Sequence, residues 1–452
     1  MSAPTMRGDI PGAAWPPVFS TRTSALAALA LQLDRSQWAA PAAIAEGQAR
    51  QLRQIATHLA GQLPPVAARL KAAGLDPARI DLATLAHLPP LTRRAVMTGG
   101  AALHTPVLPA GHGPTLILQT SGSTGEPVKA RKSQLSQLFV RAVTVRQALW
   151  HEPDFTSRLC TIRANRSGAS EFPTWGGPVS ELYATGRSLQ MDTNIDLAEQ
   201  VDRILRFAPA TLMIYPTNLE AMLDRLEAIG RELAGVRRLL SVGETLSPET
   251  RARGAATLGA EVRDCYSSEE FGTIALECPA GGLYHVMAEA LIVEVLHPDG
   301  RPAREGEVGE LVITDLQNYA MPMIRYAIGD WAEPGPPCPC GRGLPTLRRI
   351  LGRERNMVAT PDGRRYWPRT GFRAFREISP AVVQYQFVQT AIDRLEVRLA
   401  VTAPVTPEQQ AAIGRAVHEG IGHPFVLDFR YFEGALPRRP NGKFEEFIRL
   451  IP

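Results

Sequence analysis

The sequence predicts an α/β protein with a large N-terminal domain and a small C-terminal α+β domain. At 452 residues it exceeds the size at which one hydrophobic core usually stops growing. Up to about residue 278, short apolar runs alternate with helical patterns, which is typical of mostly parallel sheets flanked by helices. Beyond that residue the pattern becomes β-rich, which predicts a β-rich subdomain. We place the domain boundary between residues 1–353 and 354–452.

The first elements follow from apolar spacing. From Ala45 to about Leu75 apolar residues recur at helical intervals, and we expect surface helices that stop at Gly74. Residues 115–119 form an apolar run that breaks into Ser, Gly and Thr, which predicts a buried strand entering a tight loop.

Two further apolar runs indicate strands of the parallel sheet. Residues 211–215 end at Pro216 and precede a helical pattern through Leu226, while residues 238–242 end at Gly243. In the β-rich part we expect a hairpin or small barrel around the turn at residues 297–300. The C-terminal domain is predicted to contain a hairpin near Asp362, strands at 382–390, 395–402 and 426–432, and a helix at 406–421.

Composition narrows the classes of partner. The net charge is +4, without a dense Lys/Arg block, so we expect no nucleic-acid partner. No apolar run approaches the roughly 18 to 20 residues of a membrane span, and the first 40 residues lack the order of a secretory signal. We therefore expect no membrane partner and a cytoplasmic location. Five cysteines, an odd number, do not predict a disulfide framework.

The most informative motif is a loop of glycines and hydroxyl side chains after the first predicted strand. Glycines let backbone N–H groups approach phosphate oxygens, and hydroxyls add donors, so the loop predicts a phosphate cradle. A flexible surface loop is the alternative. The Gly-Lys-Ser/Thr of a P-loop NTPase is absent. The loop consists of Thr120, Ser121, Gly122, Ser123, Thr124 and Gly125.

Further motifs follow in a fixed order: 241–245 (SVGET), 264–270 (DCYSSEE), 325–330 (RYAIGD), 352–353 (GR) and 440–443 (PNGK). Together with the loop, they resemble the motifs of the adenylate-forming superfamily, and within it the phenylacetate–CoA ligase-like branch. The resemblance runs from about Gln48 to the C-terminus. It implies the adenylate-forming enzyme fold, whose small C-terminal domain rotates between two half-reactions.

The resemblance also implies roles for individual residues. Lys443 would be the catalytic lysine, and Glu270 the catalytic carboxylate that binds Mg²⁺. Asp330 would grip both ribose hydroxyls, and Arg353 would open the domain hinge, although the neighbouring Arg355 departs from the usual pattern. Phosphate and adenine contacts would come from Thr120 to Gly125, Lys129, Gly243, Glu244, Thr245, Asp264, Cys265 and Tyr266.

The activity implied is ATP-dependent conversion of a carboxylic acid, with an aryl or arylacetic acid favoured, to an acyl-AMP and then to an acyl-CoA. ATP, Mg²⁺ and CoA are the expected cofactors. An amine or a carrier protein as acceptor stays open, as do a nucleotidyl transferase that adenylylates a cofactor hydroxyl and a non-catalytic nucleotide-binding relative. A homodimer is a further option. Trp175, Gly176 and Tyr215 fall where this family builds its acyl pocket, but aromatic residues there can equally be core.

Four residues suggest a structural zinc site. Cys338 and Cys340 place two thiols within reach of one ion, and Cys278 and His285 could complete a Cys₃His shell. Some phenylacetate–CoA ligase-like proteins look similar in this segment. The alternative is a set of reduced cysteines in a loop, since the pairs are too far apart in sequence for a compact zinc finger. The fourth and fifth thiols, Cys160 and Cys265, are expected to be buried.

Overall fold

The computed structural model describes residues 4–10, 16–119, 129–152, 154–164, 168–368, 372–434, 436–437 and 444–451. The chain divides into two compact units, Met1–Ile350 and Leu351–Pro452. This division lies within a few residues of the boundary predicted after Arg353.

The first unit begins with amphipathic helices. Leu52, Ile55 and Leu59 lie on one face of α2 and are fully buried, because their spacing of three and four residues places them on one helical stripe. Gly74 has a positive φ of 67° just after α3 ends, as predicted. None of the helices in the described residues combines the length and hydropathy that a bilayer span requires. The helices of this unit are α1 (Thr21–Ser36), α2 (Pro41–Gln62), α3 (Pro64–Ala72), α4 (Leu82–Leu85), α5 (Arg93–Gly99), α6 (Gln134–His151), α7 (Val179–Leu182), α8 (Leu197–Phe207), α9 (Pro216–Ala228) and α10 (Pro248–Leu258).

The first strand differs from the prediction. Among the described residues, β1 (Thr115–Gln119) pairs antiparallel with β2 (Lys129–Ser133) alone, in a two-stranded sheet. Leu116 and Ile117 are 42% and 60% exposed, so the prediction of a buried strand was wrong. A two-stranded ribbon offers little cover to either face, and an apolar run alone does not reveal that.

A twelve-stranded sheet forms the centre of the first unit. Its order is β11-β12-β13-β14-β10-β9-β8-β7-β6-β3-β5-β4. The strands β5, β3, β6, β7 and β8 run parallel, as the alternation of strands and helices predicts. The strands are β3 (Leu159–Arg163), β4 (Ala169–Phe172), β5 (Ser188–Asp192), β6 (Thr211–Ile214), β7 (Arg238–Val242), β8 (Glu261–Ser268), β9 (Gly272–Glu277), β10 (Tyr284–Val286), β11 (Leu291–Leu296), β12 (Gly309–Asp315), β13 (Tyr326–Pro334) and β14 (Thr346–Arg353).

The β-rich part continues this same sheet with antiparallel strands. The predicted hairpin is present, since Leu291 pairs with Asp315 and Leu296 with Glu310. Side chains from β9, β12 and β13, among them Ile274, Leu311 and Tyr326, share one buried core. The antiparallel strands therefore wrap around their own apolar centre.

The described part of the second unit contains a four-stranded sheet, a two-stranded sheet of β15 and β16, and two α-helices. The order is β19-β18-β17-β20, and β17 and β18 form the central antiparallel pair. Thr406 caps α12 through a capping box with Gln409, which explains why the helix starts where predicted. Phe387, Leu399 and Ile413 belong to its core. The elements are β15 (Val358–Ala359), β16 (Arg365–Tyr366), α11 (Phe372–Ile378), β17 (Val382–Ala391), β18 (Arg394–Val401), α12 (Pro407–Ile421), β19 (Val426–Phe432) and β20 (Phe447–Arg449).

A buried ion pair fixes β2 of the first unit against β12. Lys132 Nζ donates to Asp315 Oδ2 at 2.9 Å, and the two side chains are 3% and 7% exposed. The other oxygen of Asp315 accepts the backbone N–H groups of Gln317 and Asn318. Asp315 therefore holds both the lysine and the turn that follows β12.

We predict that Lys132→Met lowers the free energy of unfolding by about 3–5 kcal/mol, because it leaves the Asp315 carboxylate buried without its cation. Urea unfolding followed by tryptophan fluorescence measures the change. Lys71→Met, on the exposed face of α3, is the matched control and should change the free energy by less than about 0.5 kcal/mol. A loss below about 1 kcal/mol for Lys132→Met would contradict this account.

Candidate active site

The parallel strands bring the motif residues to one edge of the sheet. β3, β6, β7 and β8 are adjacent and parallel, so their carboxyl ends lie side by side. Tyr215 follows β6, Gly243 follows β7, and Glu270 follows β8. In open α/β sheets this edge is where ligands bind.

Asp330 reaches the same region from a distant strand. The Tyr266 hydroxyl, on β8, donates to Asp330 Oδ2, on β13, at 2.7 Å. Four strand spacings separate β8 from β13 in the sheet order, which is roughly 19 Å in a flat sheet. The sheet must therefore curl strongly, and this curvature places the predicted adenine and ribose residues together.

Glu270 is buried beside an arginine that the sequence analysis did not identify. Its side chain is 5% exposed, and its Oε1 lies 3.9 Å from an Arg93 guanidinium nitrogen. Arg93 arrives there because Leu91 forms a parallel bridge with Tyr326, with backbone hydrogen bonds to Arg325 and Ala327. No sequence signal marks this contact, because it joins segments far apart in the chain.

Arg325 stabilises the contact between the Leu91 segment and β13. It has a positive φ of 52°, rare for a residue with a side chain. Its guanidinium makes two hydrogen bonds of 2.9 Å to Glu294 and also donates to the carbonyls of Ala86 and Leu88. It thus ties the start of the Arg325–Asp330 motif to the segment that precedes Leu91.

Gly243 packs directly on the Tyr215 ring. It has a φ of 77°, and a Cβ there would lie 2.4 Å from Tyr215 Cε1, so a side chain would displace the ring. Glu244 accepts hydrogen bonds from the Thr217 backbone N–H and hydroxyl at 3.0 and 2.8 Å. Thr245 is exposed. The Glu244 side chain therefore braces the start of α9.

Asp264 is engaged in a buried network. Its Oδ2 accepts from the Tyr284 hydroxyl at 2.8 Å, while its backbone N–H donates to Glu277. Glu277 is in turn held by Arg251 at 2.8 Å. Burial raises the pKa of Asp264 to about 6, partly opposed by the hydrogen bond from Tyr284. These contacts, with partners that the sequence analysis missed, anchor the strand that presents Tyr266.

The residues suggested for the acyl pocket have different environments. Trp175 is 8% exposed, donates its Nε1–H to the Ser157 carbonyl at 2.9 Å and packs 5.3 Å from the Phe155 ring, which are the contacts of a core residue. Gly176 has a φ of 88°. The Tyr215 hydroxyl accepts from the Ala164 N–H at 3.4 Å.

The remaining predicted positions are the phosphate loop, three basic residues and two cysteines. Thr120 to Gly125 and Lys443 lie outside the described residues. Lys129 is exposed at the start of β2, and Arg353 ends β14. The expectation that Cys160 and Cys265 are buried is confirmed, and burial raises the pKa of both thiols to about 12.

The four predicted zinc ligands converge in space. Their donor atoms all lie within 4.8 Å of one another. Cys338 Sγ is 3.7 Å from Cys278 Sγ, and Cys340 Sγ is 3.4 Å from His285 Nε2. A tetrahedral zinc with Zn–S of about 2.3 Å has S···S edges of about 3.8 Å and S···N edges of about 3.5 Å. The donor set and spacing therefore fit zinc, because the pairing of β10 with β9 and β14 closes the long sequence gap.

We predict that Asp264 makes stability depend on pH. Its pKa is raised by folding from 3.8 to about 6, so its contribution is fully present below pH 4 and is lost as the pH rises through 6. Relative to Asp264→Asn, the wild-type free energy of unfolding should fall by on the order of 2–3 kcal/mol between pH 4 and pH 7. Urea titrations at several pH values measure it, and a difference that stays flat or grows with pH would contradict the assignment.

The chain is similar in sequence to phenylacetate–coenzyme A ligases. It is 34% identical over 125 residues to that of Thermus thermophilus and 28% identical over 204 residues to that of Escherichia coli. These segments cover 26% and 43% of this chain, but only 28% and 42% of the two relatives. The matched part is thus less than half the length of each. No family model matches the chain.

Solved structures match larger parts of the chain than the sequence relatives do. A 2-hydroxyisobutyryl-CoA ligase, in the postadenylation state with an acyl-AMP, aligns with a TM-score of 0.72, covering 92% of this chain and 91% of that one at 18% identity. An anthranilate CoA ligase aligns with a TM-score of 0.55, covering 72% and 64% at 14% identity. The fold is that of the adenylate-forming enzymes, and the resemblance to the phenylacetate–CoA ligase-like branch that the motifs predict is confirmed.

Proposed function

We propose that this chain is an ATP-dependent acid–thiol ligase that converts a carboxylic acid to its acyl-AMP and then to an acyl-CoA, releasing AMP and pyrophosphate. One observation carries the proposal: the curled sheet brings Tyr266 and Asp330 into hydrogen bond beside the end of β8, where Glu270 follows. The motif order, the fold and the sequence similarity support the same activity.

The roles follow from the chemistry of the residues. Asp330, whose Oδ2 accepts from the Tyr266 hydroxyl, would bind the 2′- and 3′-hydroxyls of ribose, because a carboxylate is an acceptor that can serve more than one donor. The Tyr215 ring beneath Gly243 provides a flat apolar surface beside the adenine segment. Thr120 to Gly125 and Lys129 would bind the phosphates, and Arg353 would act at the hinge.

The chemical step demands positive charge. Attack of the carboxylate on the α-phosphate places negative charge on its non-bridging oxygens and on the departing pyrophosphate. A magnesium held by Glu270 would supply charge neutralisation there, because a carboxylate oxygen is the protein ligand that this cation prefers. Arg93 adds a fixed guanidinium beside it, and Lys443 would bring a further cation from the C-terminal domain.

The partners proposed are a small carboxylic acid, aryl or arylacetic in type, and CoA. An amine or a carrier protein would fit the same first half-reaction, as would no second step. We further propose that residues 1–353 form the adenylation domain, that residues 354–452 form its mobile partner, and that the protein acts in the cytoplasm, with a homodimer as the assembly to test.

We propose that Cys278, His285, Cys338 and Cys340 hold a structural zinc ion. The surrounding contacts suit a structural role. Arg342, next to the cysteine turn, lies 4.5 Å and 4.4 Å from the ring centroids of Trp38 and Trp150 and donates to Gln37. A filled tetrahedral shell would therefore fix the turn to which the ends of α1 and α6 are attached.

We predict that Lys443→Ala lowers acid-dependent ATP–pyrophosphate exchange by at least about 100-fold, because the transition-state charge loses a cation, while thioester formation from supplied acyl-AMP survives. Exchange is measured over a panel of aryl, arylacetic, fatty and amino acids, followed by mass spectrometry with CoA. Lys71→Ala is the surface control. Equal loss of both half-reactions would contradict two separate conformations, and AMP found on a cofactor hydroxyl would indicate a nucleotidyl transferase.

We predict that the purified protein contains about one zinc per chain and that the double variant Cys338→Ala/Cys340→Ala lacks it. Elemental analysis measures the metal, and thermal unfolding should show a lower Tm for the variant. Cys160→Ala, which removes a buried thiol outside the cluster, should retain the metal. Zinc-free protein from zinc-replete cells would show that these are simply reduced cysteines.

A further inference from the structure

Arg163 occupies a central position at the ligand edge of the sheet. It is the last residue of β3. Thr161 pairs with Met213 in the parallel register of β3 and β6, so Arg163 stands level with Tyr215. In the registers of β6, β7 and β8, Tyr215 is level with Val242 and Val242 with Cys265. Arg163, Tyr215, Val242 and Cys265 therefore form one row across the four strands. Residues level in adjacent parallel strands point to the same face, and Tyr215, Val242 and Cys265 indeed share one core cluster.

The Arg163 guanidinium has no counterion among the described residues. Its side chain is half-buried, and its Nε is buried without a hydrogen-bond partner. Two carboxylates at neighbouring strand ends are engaged elsewhere: Asp192, paired with Arg163 in the β3–β5 register, accepts from the Asn194 N–H at 2.7 Å, and Glu244 accepts from Thr217.

Other arginines that lie wholly or partly out of water have partners within the described residues. Arg146, Arg251 and Arg325 each face a carboxylate at 2.7 to 2.9 Å, those of Glu289, Glu277 and Glu294 respectively. Arg69 has no carboxylate but donates to the carbonyls of Ile324 and Pro89. A charge taken partly out of water is costly unless it is paired. Among the described residues none does the same for Arg163, which points to a ligand as its partner.

The positive charge of Arg163 affects the pKa values of two residues in the row. Burial raises the pKa of the Tyr215 hydroxyl and of the Cys265 thiol, and the Arg163 charge opposes the rise at both. The cation thus lies close to Tyr215, where the resemblance places the acyl pocket.

The position also indicates which end of the acid Arg163 would meet. Glu270 follows β8, three strand spacings away from β3, which is roughly 14 Å. The carboxylate that attacks ATP must lie on the Glu270 side, so the remainder of the acid extends along the row toward Arg163.

We propose that Arg163 binds a second anionic group of the acid, remote from the carboxylate that is activated, so that the substrate is a dianionic acid such as a carboxy-substituted aryl or arylacetic acid. This inference rests on the proposed ligase function. A guanidinium offers a planar pair of N–H donors that matches a carboxylate. Arg163 is then the residue that distinguishes dianionic acids from plain ones.

Matched acids test the proposal in the full-length protein. ATP–pyrophosphate exchange is measured with phenylacetate, 4-carboxyphenylacetate and 4-carbamoylphenylacetate, and with benzoate and isophthalate. We expect the wild type to favour the dianionic member of each pair by at least about 10-fold in kcat/KM. Arg163→Met should lose about 10- to 100-fold with dianionic acids only, the range of a charge-assisted hydrogen bond. Arg163→Lys should retain part of the preference, and Arg79→Met, fully on the surface, should retain all of it.

Three results would overturn the inference. The first is a wild-type preference for the monoanionic acids. Because it needs no variant, this test works even if Arg163→Met fails to fold. Equal loss with every acid would assign Arg163 to the activated carboxylate or to the ATP phosphates. An unchanged preference in folded Arg163→Met would remove it from recognition. Wild-type exchange with none of the acids, in contrast, would count against the proposed ligase function itself.

Discussion

The hydrogen bond between Tyr266 and Asp330 depends on the curvature of the sheet, and the site depends on that hydrogen bond. These residues lie on strands four places apart, yet their side-chain oxygens are 2.7 Å apart. Such closure requires the antiparallel half of the sheet to wrap around its own apolar core. The core built from β9, β12 and β13 supplies the driving force, because burying its side chains keeps the sheet curled. The parallel half contributes to the site the edge at which its strands end. Arg163, Tyr215, Gly243 and Glu270 lie at or just beyond these strand ends.

Much of the fold could be predicted from local sequence patterns. β7 and β19 begin and end at the predicted residues, and α12 begins at its capping box, since short apolar runs and caps are local signals. β1 could not be predicted correctly, because burial depends on what covers a strand. Its partner β2 leaves it in a two-stranded ribbon, with Ile117 exposed.

The site residues likewise fall into those that the sequence reveals and those that only the structure reveals. Motifs identified Glu270 and Asp330, while the Cys-Pro-Cys turn and a likeness to some ligases of the branch suggested the zinc ligands. Arg93 and Arg163 lie in no motif of a chain with many arginines, and Arg325 lies in a motif that assigned it no role. Their significance appears only in three dimensions: Arg93 through its proximity to Glu270, Arg325 through its paired hydrogen bonds to Glu294, and Arg163 through the absence of a partner among the described residues. The zinc cluster is intermediate, since its four residue types were visible but their convergence required the pairing of β9, β10 and β14.

The central claim is that the acid is activated through its own carboxylate oxygen as an acyl-AMP. An isotope measurement tests this directly: an accepted acid labelled with ¹⁸O in both carboxylate oxygens is incubated with ATP, Mg²⁺, CoA and the protein. If the carboxylate attacks the α-phosphate, the bridging oxygen leaves with AMP when CoA takes the acyl group. Mass spectrometry should then find one ¹⁸O in AMP for each thioester formed. Unlabelled AMP, or ADP and phosphate as products, would contradict the account.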